Sequence, residues 1–317
     1  MSSFVSAFRR ALAVLPAIFG TLAFPAGWFD SFSSRAQEFR SLAESYSSGG
    51  NAVGVTVEEA RDSVAKAMDE ISPEEEYYIG RAFAAKILAM YPVCDNPDAQ
   101  KYMNMILHSL AAFSERPVLF KDYSIVILDS DEVNAFASSG GHILVTKGLA
   151  ACAQSEDALA AVIAHEVAHI LLKHSVGAIK SSRLASSAMK AGADAYVAAG
   201  GDAGVAGDVS GRIDEAITEI IRTGYSQTQE LSADAKALEL LNDAGYDPHS
   251  MDSMLRALES RSSPSDSAGF GRTHPSPSVR LKNVGLRYRF YPPSSSFKKS
   301  PSRDVRFAAF RKSLFGE

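Results

Sequence analysis

A chain of 317 residues, 46% hydrophobic and 22% charged, is long enough for one large domain or two small ones and has an ordinary globular composition. A formal net charge of −5 argues against nucleic acid as the main partner, because phosphate binding requires a basic surface. The two cysteines, Cys94 and Cys152, are too few for a disulfide scaffold, although they could pair with each other if the chain is exported.

Residues 1–26 have the pattern of a secretory signal peptide. Arg9 and Arg10 precede an apolar run from Ala11 to Phe24, and no acidic residue occurs before Asp30. We therefore predict an exported protein. An uncleaved membrane anchor and, in a eukaryote, a mitochondrial presequence are the alternatives that this composition leaves open.

Residues 27–72 are interpreted as a linker with the start of a helical region, and two helices are predicted after it. Ser72 and Pro73 followed by three glutamates are typical of a helix start, and this helix should end before Pro92. The second helix runs from about Pro97 to Glu115. Its histidine, His108, has no partner motif and is interpreted as structural.

Two strands are predicted next, Ser124–Leu128 and His142–Thr146, separated by a turn at Gly140 and Gly141. Because the second strand comes shortly before the most distinctive helix of the chain, we expect it to pair with an extended peptide through main-chain hydrogen bonds. His142 is interpreted as a side chain on the strand surface or at a cleft rim rather than as a metal ligand.

The segment from Ser155 to His174 predicts a buried helix, because its apolar residues leave almost no polar face. It contains His165-Glu166-Val167-Ala168-His169, and on a helix the two histidines project from one face, close enough to share a metal. Glu166 beside them could act as a general base toward water. The alternative is a structural helix, in which two imidazoles and a carboxylate would be costly to bury unsatisfied.

Residues 175–211 are rich in Ala, Gly and Ser and are interpreted as a mobile loop with a short helix, either a lid or a tolerated insertion. A helix is then predicted up to Ala244, and it places Glu230 and Asp234 four residues apart on one face. One acid could ligate the metal while the other holds a ligand imidazole. A solvated acidic face is the alternative.

Further helices are predicted at Met251–Arg261 and from His274 to about Tyr288, joined by a Ser/Pro/Gly loop at 262–271. His274 is either an ordinary residue before a helix or a side chain presented into a cleft. The tail, residues 291–317, is basic with apolar residues at helical spacing. It packs against the domain, frays or contacts a membrane surface.

Taken together, these motifs resemble peptidase family M48, the zinc metallopeptidases that include the CAAX prenyl endopeptidase, HtpX, the mitochondrial Oma protease and BepA. The resemblance covers about residues 70–290 and keeps the expected order. It is carried by His165-Glu166-x-x-His169, Glu230-x-x-x-Asp234, His274-Pro275 with Arg280, Glu76-Tyr-Tyr-Ile-Gly80-Arg, and Asn134-Ala-Phe-Ala with Gly140-Gly141.

The resemblance implies a predominantly helical α+β fold, a zincin-like metalloprotease domain at 73–290 with a small β-sheet beside the active-site helix. It implies one Zn²⁺ per chain and no ligand role for His174. The implied site residues are His165, His169 and Glu230 as metal ligands, Asp234 behind them, and Glu166, His274 and Arg280 as catalytic residues.

The resemblance also implies polypeptide substrates, in particular unfolded or misassembled envelope proteins, and points to the soluble periplasmic branch of the family. In some bacterial members the histidine equivalent to His274 can occupy the open position of the metal. A proteolytically latent chaperone or assembly factor is therefore the alternative function, and a metal-dependent hydrolase of non-peptide bonds is a third. Gln227 stands where many relatives have arginine, which puts a salt bridge there in doubt. The oligomeric state is left open.

Overall fold

The structure is a computed structural model, and it describes residues 71–182, 212–261, 274, 276–297 and 300–316. Outside these residues lie the predicted signal peptide or anchor, almost all of the linker, most of the predicted lid or insertion, and the loop at 262–271. The domain boundaries therefore stay predictions.

The described part of the chain is mainly helical, with one small sheet. The strands are β1 (Ser124–Leu128), β2 (Ala135–Ser138) and β3 (His142–Thr146). Residues 174–182 are also helical. The helices are α1 (Pro73–Met90), α2 (Pro97–Ala111), α3 (Lys147–Ala150), α4 (Glu156–Leu171), α5 (Arg212–Thr223), α6 (Gln227–Asp243), α7 (Ser250–Arg261), α8 (Pro277–Arg287) and α9 (Pro301–Phe315). The predicted fold class, predominantly helical α+β, is confirmed.

Side-chain caps help to determine where five of the described helices begin, including the two that carry most of the site. Ser72 and Glu75 form a reciprocal capping box at the start of α1, and Ser226 and Gln229 do the same at α6. Ser155 caps α4 by accepting a hydrogen bond from a first-turn N–H. The caps of α4 and α6 help to set the positions of the site residues that these two helices carry.

The sheet has the order β1-β3-β2, with β1 parallel and β2 antiparallel to β3. Both sides of β3 are thus occupied, and the prediction that the strand at 142–146 pairs with a peptide is wrong. The outer strand next to it is β2, whose residues were predicted to belong to the connection between the two strands. Its four residues, Ala-Phe-Ala-Ser, are too few and too small to give a strong strand signal.

The turn between β2 and β3 packs directly against the backbone of α1. Gly140 has a φ of +73° and Gly141 a φ of +91°, values that favour glycine. A Cβ atom on Gly80 of α1 would lie 1.8 Å from the carbonyl oxygen of Ser139. Only a residue without a side chain fits at Gly80 while α1 and the turn stay this close.

Alternating residues of the sheet enter two separate apolar clusters. Ile127, Ile143 and Val145 pack with α2, α4, α6, α7 and α9 in the larger cluster. Phe136 and Leu144 pack in the smaller one, with α1, α5 and the helical residues 174–182. Helix α4 therefore lies in the centre of the larger core, beside the sheet.

One helical stretch in the described residues, Glu156–Ser182, is long and apolar enough to cross a membrane by length and composition alone. However, 83% of its most apolar window is buried inside the protein. Its hydrophobicity is accounted for by the core that surrounds α4.

The C-terminal tail folds back on the domain as α9. Phe307, Phe310 and Leu314 are buried in the larger cluster, and α9 contacts α2 and α4. Packing on the domain, one of the predicted possibilities, is thus what the structure shows.

Candidate metal centre

Two helices and the segment before a third bring four metal-binding side chains to one place. Helix α4 supplies His165 and His169, α6 supplies Glu230, and His274 lies shortly before α8. One potential ligand atom from each residue lies within 4.8 Å of all the others, and all four residues are buried. The structure thus brings together side chains that are up to 109 positions apart in the sequence (274 minus 165).

The spacing of three of these side chains suits a zinc ion. His165 Nε2 lies 3.1 Å from His169 Nε2 and 3.3 Å from Glu230 Oε2, and His169 Nε2 lies 3.4 Å from Glu230 Oε1. Ligand atoms bound tetrahedrally to zinc are about 3.3–3.6 Å apart, as follows from bonds of about 2.0–2.2 Å. Two imidazoles and a carboxylate are also the donor set of known catalytic zinc sites.

An unsatisfied acceptor supports the same fit. Glu230 is fully buried, and its Oε1 atom has no hydrogen-bond partner among the described residues. A buried carboxylate oxygen without a partner is costly, and a cation between it and the two imidazoles would satisfy it. The residues present therefore fit a divalent metal.

His165 is held by charged neighbours on the side away from His169. Its Nδ1 lies 3.0 Å from Asp234 Oδ1 and 3.1 Å from Arg280 Nη2. Arg280 also binds Asp234 through Nε and Nη2, at 3.0 and 2.6 Å. Burial and the Arg280 charge lower the pKa of His165, but hydrogen bonds with Asp234 and Glu230 outweigh them and raise the pKa to about 9.

Apart from Glu230, the close neighbours of His169 are neutral side chains. Its Nδ1 lies 2.9 Å from Nδ1 of His174, and the ring of Tyr225 stacks on it with centroids 4.4 Å apart. Burial lowers the pKa of His169 well below its ordinary value. Burial also lowers the pKa of His174, to about 4. Both rings are therefore favoured in the neutral form that a zinc ligand and its partner require.

Glu166 follows His165 directly and is buried among the same groups. Burial raises the pKa of its carboxyl, while the nearby His165 and His274 side chains act in the opposite direction. A carboxyl group whose pKa is shifted upward is suited to exchange protons near neutral pH. Its location is that expected of a general base, and this role remains a prediction.

His274 and Arg280 both reach the site. His274 Nδ1 lies 2.7 Å from Glu230 Oε2, and the residue is buried. This position is compatible with both predicted roles of His274, contact with a reacting group and occupation of the open position of the metal. The guanidinium group of Arg280 is paired with Asp234, so its predicted contact with a reaction intermediate remains a prediction.

His108 and His142, two histidines that were not expected to bind metal, lie away from the centre. The side chain of His108 is half exposed and lies 4.0 Å from Asp122, and the ring of His142 packs on Tyr77 at 5.1 Å. Cys94 and Cys152 are free thiols in the structure.

The sequence assigned no role to His174 and Tyr225, which contact His169, or to Ser232, which contacts His174. The five-residue separation of His174 from His169 does not place the two on one helical face, so the helix pattern gave no signal. Ser232 lies two positions after Glu230. That closeness was the one clue available in the sequence.

The model of peptidase family M48 matches residues 97–287, more than half of the chain and all of the elements that carry the site. The chain belongs to peptidase family M48.

The individual relatives have low sequence identity to this chain. The beta-barrel assembly-enhancing protease of Yersinia pestis is 28% identical over 245 residues, which cover 76% of this chain and 49% of that protein. The mitochondrial metalloendopeptidase OMA1 of Schizosaccharomyces pombe is 26% identical and covers 58% and 51%. The metalloprotease LoiP of Escherichia coli is 27% identical and covers 60% and 70%.

The chain spans about half the length of the first two of these relatives. Among solved structures, Ste24p of S. mikatae aligns with 89% of this chain and 74% of its own at 15% identity. The TM-score of 0.31 is too low to support an argument about the fold.

Proposed function

We propose that the protein is a zinc-dependent endopeptidase. The observation that carries the proposal is the convergence of His165, His169 and Glu230 at zinc-like separations, with Glu166 beside them. Membership of peptidase family M48 supports the same chemistry.

Each residue of the site has its own role in hydrolysis. Bound zinc would polarise the scissile carbonyl and make water acidic enough to attack near neutral pH. Glu166 accepts the proton of the attacking water and passes it to the leaving amine nitrogen. Asp234, held by two hydrogen bonds from Arg280, orients the ring of His165.

The outer strand β2 supports a peptide as the substrate. Thr146 N donates to Asn134 O, so Ala135 and Ala137 occupy the alternate positions at which N–H and C=O groups point away from β3. An extended peptide can add to such an edge through main-chain hydrogen bonds. Tyr225 Oη donates to Ala137 O at 2.9 Å, and the N–H of Ala135 donates to Asn134 Oδ1 at 2.9 Å, so a peptide that pairs along the whole strand would displace both bonds. A main-chain edge next to the site favours peptides over non-peptide substrates.

We further propose that the substrates are unfolded or misassembled envelope proteins and that the chain is exported to the periplasm. The support is the name of one bacterial relative, the beta-barrel assembly-enhancing protease, together with the signal-like residues 1–26. The alternatives are anchoring of an uncleaved N-terminus in the inner membrane and, in a eukaryote, the mitochondrion.

Replacing the proposed general base tests the function. We expect Glu166→Gln to keep one zinc per chain and an unchanged thermal unfolding midpoint, and to lower casein cleavage by about 10²–10⁴-fold, since general-base catalysis contributes that much. Glu239→Gln, an exposed glutamate that pairs with Lys236, is the matched control and should cleave like the unmodified protein. Cleavage by the Glu166→Gln protein within a few-fold of the control would refute the proposed mechanism.

The buried position of His274 beside Glu230 favours a second candidate function, a latent chaperone or assembly factor whose metal site is plugged by His274. His274→Ala separates the two. Casein cleavage should rise if His274 blocks the site and fall if it contacts the reacting groups. His108→Ala, at the exposed histidine on α2, is the control for loss of an imidazole.

A further inference from the structure

The nitrogen of His169 that faces away from the other ligands is bonded to a second histidine. His169 Nε2 is directed toward His165 and Glu230, which leaves Nδ1 as the atom for another partner. That partner is His174 Nδ1, 2.9 Å away. On its other side, His174 Nε2 lies 3.3 Å from Ser232 Oγ. Two side chains, His174 and Ser232, thus form a continuous row behind His169, one of the proposed metal ligands.

The end of the row determines where the protons lie. Ser232 Oγ donates its proton to Gln229 O at 2.8 Å, so toward His174 it can only accept. His174 must then carry its proton on Nε2, which leaves Nδ1 of the neutral ring as an acceptor. His169 donates from Nδ1, and its Nε2 is left with a lone pair directed at the metal position. A single assignment satisfies all these contacts.

The backbone is bent to bring His174 to this place. Helix α4 ends at Leu171, and Lys173 has a φ of +54°, in the left-handed region that non-glycine residues seldom adopt. Lys173 Nζ also binds the buried carboxylate of Glu76 at 2.8 Å. Without this turn, a residue five positions after His169 would not return to its ring. A strained residue held by an ion pair indicates a geometry that the surrounding structure maintains.

We propose that His174, supported by Ser232, is a positioning residue for metal binding. It fixes the tautomer and ring orientation of His169, as a carboxylate or a backbone carbonyl does behind most metal-binding histidines. The inference rests on the proposed function, in which His169 is a zinc ligand. It also gives the two histidines different supports, anionic Asp234 for His165 and a neutral imidazole for His169.

Zinc affinity, measured by competition with a chromophoric chelator, tests the inference without relying on activity. His174→Phe keeps a ring but removes the acceptor, and we expect zinc to bind about 10–100-fold more weakly, the usual effect of losing such a partner. His174→Asn restores an acceptor close to the position of Nδ1 and should recover most of the affinity. Ser232→Ala removes the far end of the row and should weaken binding by about 3–10-fold. His108→Phe is the control.

The outcomes separate this inference from the proposed function. An unmodified protein that binds no zinc would refute the function itself. Zinc binding by the unmodified protein, together with unchanged affinity in a folded His174→Phe variant, would overturn only the role of His174. If His174→Phe does not fold, Ser232→Ala and His174→Asn decide. An unchanged zinc affinity in Ser232→Ala, or no measurable zinc binding by His174→Asn, would overturn the role of His174.

Discussion

At the scale of single residues, the main feature of the site is that it buries charged side chains, which is costly unless each charge is compensated. Glu230 and Asp234 are fully buried, and Arg280 compensates only one of the two carboxylates. Burial lowers the pKa of His165, but hydrogen bonds with both carboxylates raise it to about 9, so their surroundings favour a positive charge at this place. A divalent cation bound by neutral imidazoles would supply that charge. Such a cation would make these polar residues tolerable in an otherwise apolar core.

The half-buried His142 gives a pH-dependent stability prediction away from the metal centre. Burial and the charge of Arg81 lower the pKa of His142 below its ordinary 6.5. The unfolded chain therefore binds the proton better, so the stability that neutral His142 contributes is present above about pH 6.5 and is lost as the pH falls below it. The slope is at most about 1.4 kcal/mol per pH unit for one proton.

Urea unfolding of zinc-loaded protein between pH 7.5 and 5.5 measures this effect. The unmodified protein should lose more free energy of unfolding toward acid pH than His142→Gln does. A difference between the two proteins that stays constant over this range would contradict the prediction.

Much of the site could be predicted at the residue scale, and its limits have a physical reason. The four-residue spacing of His165 and His169, and of Glu230 and Asp234, fixes a shared helical face whatever the tertiary structure. Spacing does not decide which acid faces the metal, because that depends on how α6 is rotated against α4. His174 could not be assigned a role because its approach depends on the left-handed turn at Lys173.

At the scale of elements, the sequence located the helices well and the sheet incompletely. The caps at Ser72 and Ser155 and Pro97 at the first position of α2 are local signals, and the observed helices begin at or next to them. Strand β2 exists because it pairs with β3 and packs Phe136 in the smaller core. The pairing and the packing are both long-range contacts, and the sequence of four residues does not predict them.

The contact between α1 and the β2–β3 turn gives a prediction at this scale. Gly80→Ala would place a methyl group against the backbone of Ser139, so one of the two elements has to move. We expect the free energy of unfolding to fall by about 2–4 kcal/mol, the range of overpacking and strain in a core. Gly285→Ala on α8 is the matched control, because nothing lies within 4 Å of the added atom. It should be neutral or stabilise by up to about 1 kcal/mol.

Chemical denaturation of the two variants measures both effects. A Gly80→Ala protein as stable as the Gly285→Ala protein would show that α1 and the turn are not in the contact described.

At the scale of the whole molecule, the C-terminal helix is tied to the start of the helix that carries the metal site. Glu156, the first residue of α4, is buried and accepts hydrogen bonds from Arg306 of α9 and from Tyr102 and Tyr246. The family match ends at residue 287, so α9 lies outside it. We infer that α9 stabilises this domain through one buried carboxylate and the apolar residues around it.

Arg306→Gln tests this link. The Glu156 carboxylate would lose the closer of its two charged partners, while Arg303 Nε stays 3.6 Å from Oε1, and we expect the free energy of unfolding to fall by about 1–3 kcal/mol. Arg289→Gln, at an exposed arginine beside Phe290, should change it by less than about 0.5 kcal/mol. Equal stability of the two variants would mean that α9 is not held through Glu156.

The central claim is that two imidazoles from α4 and one carboxylate from α6 hold a single divalent metal. Zinc content and affinity of Glu230→Gln, compared with Glu239→Gln on the same helix, test it most directly. We predict one zinc per chain in the control and, in Glu230→Gln, an affinity at least about 100-fold lower, because a charged ligand is replaced by a neutral one. Zinc bound by Glu230→Gln with the affinity of the control would contradict the account.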